Sequence, residues 1–416
     1  MDKKDKKGRK LNQGERQRKD GRYEYRYKDS LGKTKSVYSW RLKDTDATPE
    51  GKPREKALRE MEVQIAKDKM EGIAQTDITL NAYFDIFLEA KQELRESSWV
   101  NIKVNYTRYF KESIGCHPLT SINYTMVKKH YLAIIDEHAL TINSMRVVNN
   151  VLHQLFESAI KDGLVRNNPT NGILKELRKK IPSSSSHVPL TREEQTAFLG
   201  FVKDSPRYRR WYPLFLFLLS TGCRIGEAAG LRWEDCDFEK NEIHIERTLY
   251  YGKLKTGSYG VVVNSPKTKT SQRTIPMMSV LKTVLLQEQE KVYYKQNGEL
   301  LDIKDPSLVF HNVRGTSLSS HNVDAVIHHI CAAYNRQETA VALDERREPI
   351  LLPDFTAHAL RHTFCTRYSE NESNLRVIME IMGHSDITTT MNIYSRATST
   401  VKKTSMQELE EKVFVG

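Results

Sequence analysis

No two of the five cysteines, Cys116, Cys223, Cys236, Cys331 and Cys365, form a CxxC pair. They are odd in number and scattered. That excludes the reading of a disulfide framework or a zinc ribbon and leads us to expect a reducing compartment, the cytoplasm. Long apolar runs are missing too. The longest, WYPLFLFLL (211–219), has nine residues, where a membrane-spanning helix takes about 20, so it reads as a buried helix and no membrane partner is expected. The N-terminus, MDKKDKKGRK, is basic but has no apolar stretch behind it, which argues against a secretory signal. Internal repeats are not evident. With 416 residues the chain is too long for one core and suits two or three domains.

What is present in excess is positive charge, and it is uneven. The net charge is +12, and residues 1–40 alone hold 14 Lys and Arg against 6 Asp and Glu. Two thirds of the excess therefore sits in a tenth of the chain, the pattern of a polyanion-binding arm. Within it, GRYEYRYK (21–28) alternates. Tyr23, Tyr25 and Tyr27 fall on one strand face, and Arg22, Glu24, Arg26 and Lys28 on the other. DSLGK supplies a turn and KSVYSWRL a second strand. A helix follows over 54–72, with Leu58, Met61 and Ile65 at helical spacing. Such a unit could lay its sheet in a DNA groove, with Arg22, Arg26, Lys28, Lys33 and Lys35 as candidate contacts. The alternative is a generic α+β appendage whose tyrosines fill its core.

A boundary is expected near 75. Thr79 is a plausible cap for the helix opening TLNAYFDIFLEAKQEL, and further helices are expected near 98–112, 124–138 and 141–162. IPSSSSHVP (181–189) reads as a flexible linker. TREE (191–194) is a capping box that opens a new domain. There, helices are expected near 191–203 and 211–220, strands near 242–250 and 258–276, and helices beyond about 278. The fold class expected is multidomain α+β, mainly helical with small sheets. It comprises a sheet-plus-helix unit (1–75), an all-α unit (76–180), a linker (181–190) and a mixed α/β unit (191–416).

The last unit holds stretches that are individually weak and jointly telling. STGCRIGEAAGLRW (220–233) places Arg224 at the start of a helix. SPKTKTSQRTIPM (265–277) is a polar turn between strand-like segments, with Lys267 and Lys269 at its tip. HALRHTFCTRY (358–368) puts His358 and Arg361 on one helical face. GHSDITTTMNIY (383–394) supplies His384 and Tyr394. Two arginine forks match the non-bridging oxygens of a phosphodiester and the added charge of its pentacovalent transition state. A tyrosine hydroxyl can attack if local positive charge offsets its pKa, and a lysine can protonate a leaving 5′ oxygen. Taken singly, each has a bland reading: Arg224 a surface arginine, Ser271 with Arg273 a solvated strand face, Tyr394 a core tyrosine. His358 and His362 have the spacing of zinc ligands, but ALR between them lacks a metalloprotease glutamate and no third ligand is evident.

TGCRIGE, PKTKTSQR, HALRH and GH…Y, in this order, resemble the signature of the tyrosine recombinases, the integrase-type enzymes. With HTFCTRY, MNIYSRAT and the three-part layout, the chain looks most similar to integrases of conjugative transposons. The resemblance implies an arm-binding domain, a helical core-binding domain and a catalytic domain. By position, it makes Arg224 and Arg361 the clamp on the scissile phosphate, Glu227 the residue holding Arg224, and His358 and His384 hydrogen-bond donors or proton-transfer aids. It makes Tyr394 the nucleophile of a 3′-phosphotyrosyl intermediate, and Lys267, which matches the family's K-T pattern best, the catalytic lysine, with Lys269 as the alternate. No metal, cofactor or ATP is implied. The partners implied are double-stranded DNA at element ends and target sites, an accessory excision factor, and three further copies of the chain in a tetramer on two DNA sites. In that tetramer the tail MQELEEKVFVG (406–416), with Leu409, Val413 and Phe414 on one face, docks on a neighbour. The competing readings are an architectural DNA-binding protein with vestigial residues, a type IB topoisomerase and a telomere resolvase.

Overall fold

The structure, a computed structural model, describes residues 3–28, 34–70, 77–178, 181, 188–265, 271–295, 298–371 and 374–383. Lys33, Lys267, Lys269, His384, Tyr394, the linker serines and the C-terminal tail lie outside these residues. The chain divides into two compact units, Met1–Ser184 and Ser185–Gly416.

The first unit contains two hydrophobic clusters where the sequence suggested two domains. An antiparallel sheet of β1 (Glu15–Gln17), β2 (Tyr23–Lys28) and β3 (Thr34–Ser39) lies beside α1 (Leu58–Met70). The tyrosine face turns inward: Tyr23 is buried with Leu11, Leu42 and Leu58, and Tyr25 and Val37 pack against them. The second cluster is all-helical: α2 (Leu80–Glu89), α3 (Glu96–Tyr109), α4 (Tyr124–His138), α5 (Ile142–Lys161) and the short α6 (Ile173–Leu177). Thr79 caps α2 as expected, accepting from the backbone N–H of Ala82 at 3.2 Å. Asn123 and Thr141 cap α4 and α5 in the same way. The amphipathic α5 points Met145, Val148, Leu152, Leu155 and Phe156 into the core.

The second unit opens with α7 (Arg192–Asp204), whose capping box forms: Glu194 N–H to Thr191 Oγ1 at 3.1 Å, Thr191 N–H to Glu194 Oε2 at 2.8 Å. Its centre is α8 (Tyr212–Thr221), in which every residue from Pro213 to Thr221 is buried. A helix apolar on all sides must be enclosed by others, and α7, α10 (Ser279–Gln289) and α12 (Ala357–Asn371) pack around it. Between α8 and α10 run α9 (Ile225–Ala229) and strands β4 (Cys236–Asp237), β5 (Glu242–Ile245), β6 (Thr248–Lys253), β7 (Tyr259–Asn264) and β8 (Arg273–Pro276). Each strand-like stretch expected from the sequence is two strands here. β5 pairs with β4 and β8, while β6 and β7 form a separate hairpin. β7 and β8 therefore belong to different sheets.

The long α11 (Ser320–Asp344) packs against α12, and its Asp324 accepts from the N–H of Ala357 at 2.8 Å, capping α12. The last described element is α13 (Leu375–Met382). Among the described residues, no helix is long and apolar enough to cross a membrane.

Candidate active site

Two helix ends set the site. α8 stops at Gly222, which is left-handed with φ +62° and returns its N–H to Leu218. A Cβ at this position would lie 2.3 Å from the Phe364 ring and 2.8 Å from the Met382 sulfur, so both dihedral and space demand glycine. α13 stops at Gly383, also at φ +62°. Helix C-termini leave carbonyls without intrahelical partners and carry partial negative charge. Three arginines meet these two ends.

Arg361, on α12, is 3% exposed. Its Nη1 donates to Gly222 O and its Nη2 to Met382 O, both at 2.6 Å. Arg224, on the turn after α8, is half exposed. Its Nη1 donates to Glu227 Oε1 at 2.8 Å, and its Nη2 lies 3.5 Å from Gly383 O. Glu227 also accepts from the Arg224 backbone N–H at 2.9 Å, so one buried carboxylate caps α9 and holds the arginine that begins it. The third guanidinium belongs to Arg273. Its side chain is 5% exposed and pairs with Glu227 Oε2 at 3.0 Å. The solvated strand face suggested for Ser271 and Arg273 is thus wrong: both are buried, because β8 runs under α13.

The electrostatics follow from one carboxylate among three guanidinium groups. Burial alone would raise the Glu227 pKa, but the charge and hydrogen bond of Arg273, the Arg224 N–H and the Arg224 guanidinium outweigh it and hold the carboxyl below its ordinary value. Arg273 keeps its charge firmly: burial opposes it, yet Cys223 and Glu227 raise its pKa. Arg361 has carbonyls but no carboxylate of its own, so burial and the neighbouring Arg224 pull it down to about 10. It remains cationic at neutral pH. Burial pushes the Cys223 thiol up to about 11, an inert thiol under these conditions. The site carries a formal excess of two positive charges over Glu227, and the half-exposed Arg224 gives that charge an opening to solvent. It is built to receive an anion.

His358 is exposed on α12 one turn before Arg361, and its ring meets His362 edge-on with centroids 4.7 Å apart. Among the described residues, no group of three His, Cys, Asp or Glu side chains is placed to hold a metal. The structure thus brings Arg224, Glu227, Arg361 and Arg273 together and places His358 on the Arg361 helix. Lys267, Lys269, His384 and Tyr394 lie outside the described residues. The sequence reading missed Arg273. Its one signal was an arginine in period-two step with the buried Ile275 and Met277.

In the N-terminal unit, Arg22, Arg26 and Lys28 do share the sheet face opposite the tyrosines. Glu24 sits among them, 1% exposed, accepting from Arg16 Nε at 2.6 Å and Ser36 Oγ at 3.0 Å, with Arg26 3.7 Å away. Arg22 lies over the Tyr38 and Trp40 rings and pairs with Glu55 at 3.3 Å. Lys35 falls on the other face, because it pairs with Tyr27 in the β2–β3 register.

Residues 189–400 match the phage integrase family, and residues 1–69 match the DNA binding domain of Tn916 integrase. The chain is 31% identical to the transposase from transposon Tn916 of Enterococcus faecalis, over 98% of this chain and 96% of that protein. Identity and coverage are the same for the transposase from transposon Tn1545 of Streptococcus pneumoniae. Among solved structures, the Tn1549 transposon integrase in complex with a circular intermediate DNA superposes with a TM-score of 0.67 at 23% identity, covering 80% of this chain and all of that one. A lambda integrase tetramer bound to a Holliday junction superposes with a TM-score of 0.52 at 17% identity, covering 91% and 94%. At these identities the structural likeness is one of fold. The chain belongs to the phage integrase family, the tyrosine recombinases, and within it to the integrases of conjugative-transposon type.

Proposed function

We propose that the chain excises and integrates a mobile element by cutting and rejoining double-stranded DNA through a covalent tyrosine link. Arg224 and Arg361 neutralise the non-bridging oxygens of the scissile phosphate, and Glu227 holds Arg224 in place. The Tyr394 hydroxyl attacks phosphorus. The bond to the 5′ oxygen breaks, Lys267 or Lys269 supplies the proton to that oxygen, and a 3′-phosphotyrosine with a free 5′-OH results. His358 and His384 donate to the phosphate or assist proton transfer. The phosphodiester energy is kept in the covalent link, so a second 5′-OH rejoins the strand without ATP. The observation that carries this reading is the convergence of Arg224 and Arg361, with a net excess of positive charge, on the helix end that leads into GHSDITTTMNIY.

Residues 1–75 act as the arm-type DNA-binding domain through the Arg22, Arg26 and Lys28 face; Lys35 is on the opposite face and Lys33 is outside the described residues. Residues 76–180 are the core-binding domain, joined by the 181–190 linker to the catalytic domain at 191–416. Four protomers assemble on two DNA sites, exchanging the 406–416 tails in trans, and an accessory factor directs excision.

The test is trapping on a nicked suicide duplex. Wild type forms a covalent protein–DNA complex and Tyr394→Phe forms none. A complex that persists in the Phe variant places the nucleophile elsewhere.

A further inference from the structure

Arg273 is a charged residue of this site to which the proposed chemistry assigns no role. Its side chain is 5% exposed, and its guanidinium is turned onto the Glu227 carboxylate. Every direction of its planar fork has a partner. Nε donates to Ile381 O at 2.6 Å and Nη1 to Ser271 O at 3.1 Å. Nη2 donates to Glu227 Oε2 at 3.0 Å and to Cys223 Sγ at 3.5 Å. One buried guanidinium therefore fastens Ser271 ahead of β8, the turn that carries Arg224, and the last turn of α13. The fit to α13 is tight: a Cβ on Gly383 would lie 3.0 Å from Arg273 Nη1.

The division of the Glu227 carboxylate shows what this fastening does. Oε1 receives the Arg224 side chain, while Oε2 receives Arg273 and the Arg224 backbone. With Arg273 on Oε2, Arg224 engages the carboxylate through Nη1, keeps Nη2 at the Gly383 carbonyl, and stays half exposed. Without Arg273, a buried carboxylate lacks half its compensation. The nearest cation able to supply it is Arg224, whose fork would turn inward, away from the anion. The same loss releases Ile381 O, three residues before His384.

We propose that Arg273 is a positioning residue for strand cleavage: from beneath the site it sets the Arg224 fork through Glu227 and registers the end of α13 through Ile381. This rests on the phosphate-clamp reading above. A planar fork is required, because three acceptors in different directions are served at once, which a lysine ammonium on its flexible stem cannot reproduce.

The experiment uses the full chain on a nicked suicide duplex carrying the terminal sequence of the element that encodes it. It compares wild type, Arg273→Lys and Arg273→Met. Duplex affinity, the single-turnover rate of covalent-complex formation at saturating protein, and thermal unfolding are measured separately. The rates are measured twice, with a normal scissile phosphate and with a methylphosphonate in its place. Both variants are expected to bind the duplex within about threefold of wild type and to cleave about a hundredfold more slowly, the scale of a misplaced catalytic group. The loss should shrink several-fold on the methylphosphonate, which has one less charge to neutralise. A merely structural arginine would lower the unfolding temperature and leave folded protein cleaving at the wild-type rate, or lose the same factor on both substrates. Either result overturns the proposal. Arg273→Lys retains charge and bulk, so it remains informative if Arg273→Met does not fold. Wild type that forms no covalent complex, or Tyr394→Phe that does, defeats the underlying reading and this proposal with it. Abolition by Tyr394→Phe alongside wild-type rates in the Arg273 variants defeats this proposal alone.

Discussion

Arg361 donates to the carbonyl oxygen of Gly222 at 2.6 Å, tying helix α12 to the end of α8. The bond exists because Gly222, at φ +62°, turns the chain where α8 ends. A buried cation thus rests on the negative ends of two helices, in place of a carboxylate of its own. This leaves its charge available to a ligand.

Gly222→Ala should break this arrangement. The left-handed dihedral costs a residue with Cβ about 1 kcal/mol, and overpacking against Phe364 and Met382 adds about 1–3 kcal/mol. A loss of at least about 2 kcal/mol in denaturant unfolding is expected. Cleavage by the remaining folded protein should slow, since the acceptor of Arg361 is displaced.

Arg224→Lys should separate binding from chemistry. It keeps the charge and loses the planar fork that reaches both Glu227 and the Gly383 carbonyl. DNA affinity in a mobility-shift assay is expected to stay within a few-fold of wild type. Covalent-complex formation should fall by about 10²–10³, the usual effect of removing a preorganised transition-state donor.

Glu227→Gln should cost stability as well as rate. It leaves Arg273 buried and unpaired, a defect worth about 3–5 kcal/mol in comparable sites. Because the folded-state pKa of Glu227 is depressed, its contribution is present above the ordinary glutamate value of about 4.3 and is lost as pH falls through the folded value. The variant should unfold with a shallower acid limb than wild type between about pH 5 and pH 3.

The N-terminal unit should show the opposite dependence. Burial, then the neighbouring Glu15, push Glu62 up to about 8. A carboxyl whose folded pKa is raised gives stability that is complete below its unfolded value and is lost as pH rises through the folded one. Protection of the β1–β2 amides from hydrogen exchange should decline between about pH 5 and pH 9 in wild type. It should be nearly flat in Glu62→Gln, and an unchanged slope would place the titration elsewhere.

Much of this site was legible in the sequence because its parts obey local rules. The capping box at Thr191, the cap at Thr79 and the burial of WYPLFLFLL each follow from a few neighbouring residues. The pairing of Arg224 with Glu227, one turn apart, is equally local. So is the placement of His358 beside Arg361 on one helix. Strand pairing was not legible. The stretches 242–250 and 258–276 look like two strands, and only the register shows that β6–β7 is a hairpin set between the paired β5 and β8.

By itself, the sequence determined the order and type of the chemical groups: two arginines, two histidines, a turn lysine and a tyrosine, spaced for one chemistry. It also determined the basic face of β2, since period-two alternation needs no partner to be read. Only the tertiary structure decided that Arg273 is buried, that Glu227 is shared between two guanidinium groups, and that three arginines gather on the end of α13. Residues 222, 273, 361 and 382 are far apart in the chain, and no local propensity encodes their meeting. What brings them together is the enclosure of the apolar α8, which packs α12 beside it and closes the core over which both helix ends fall.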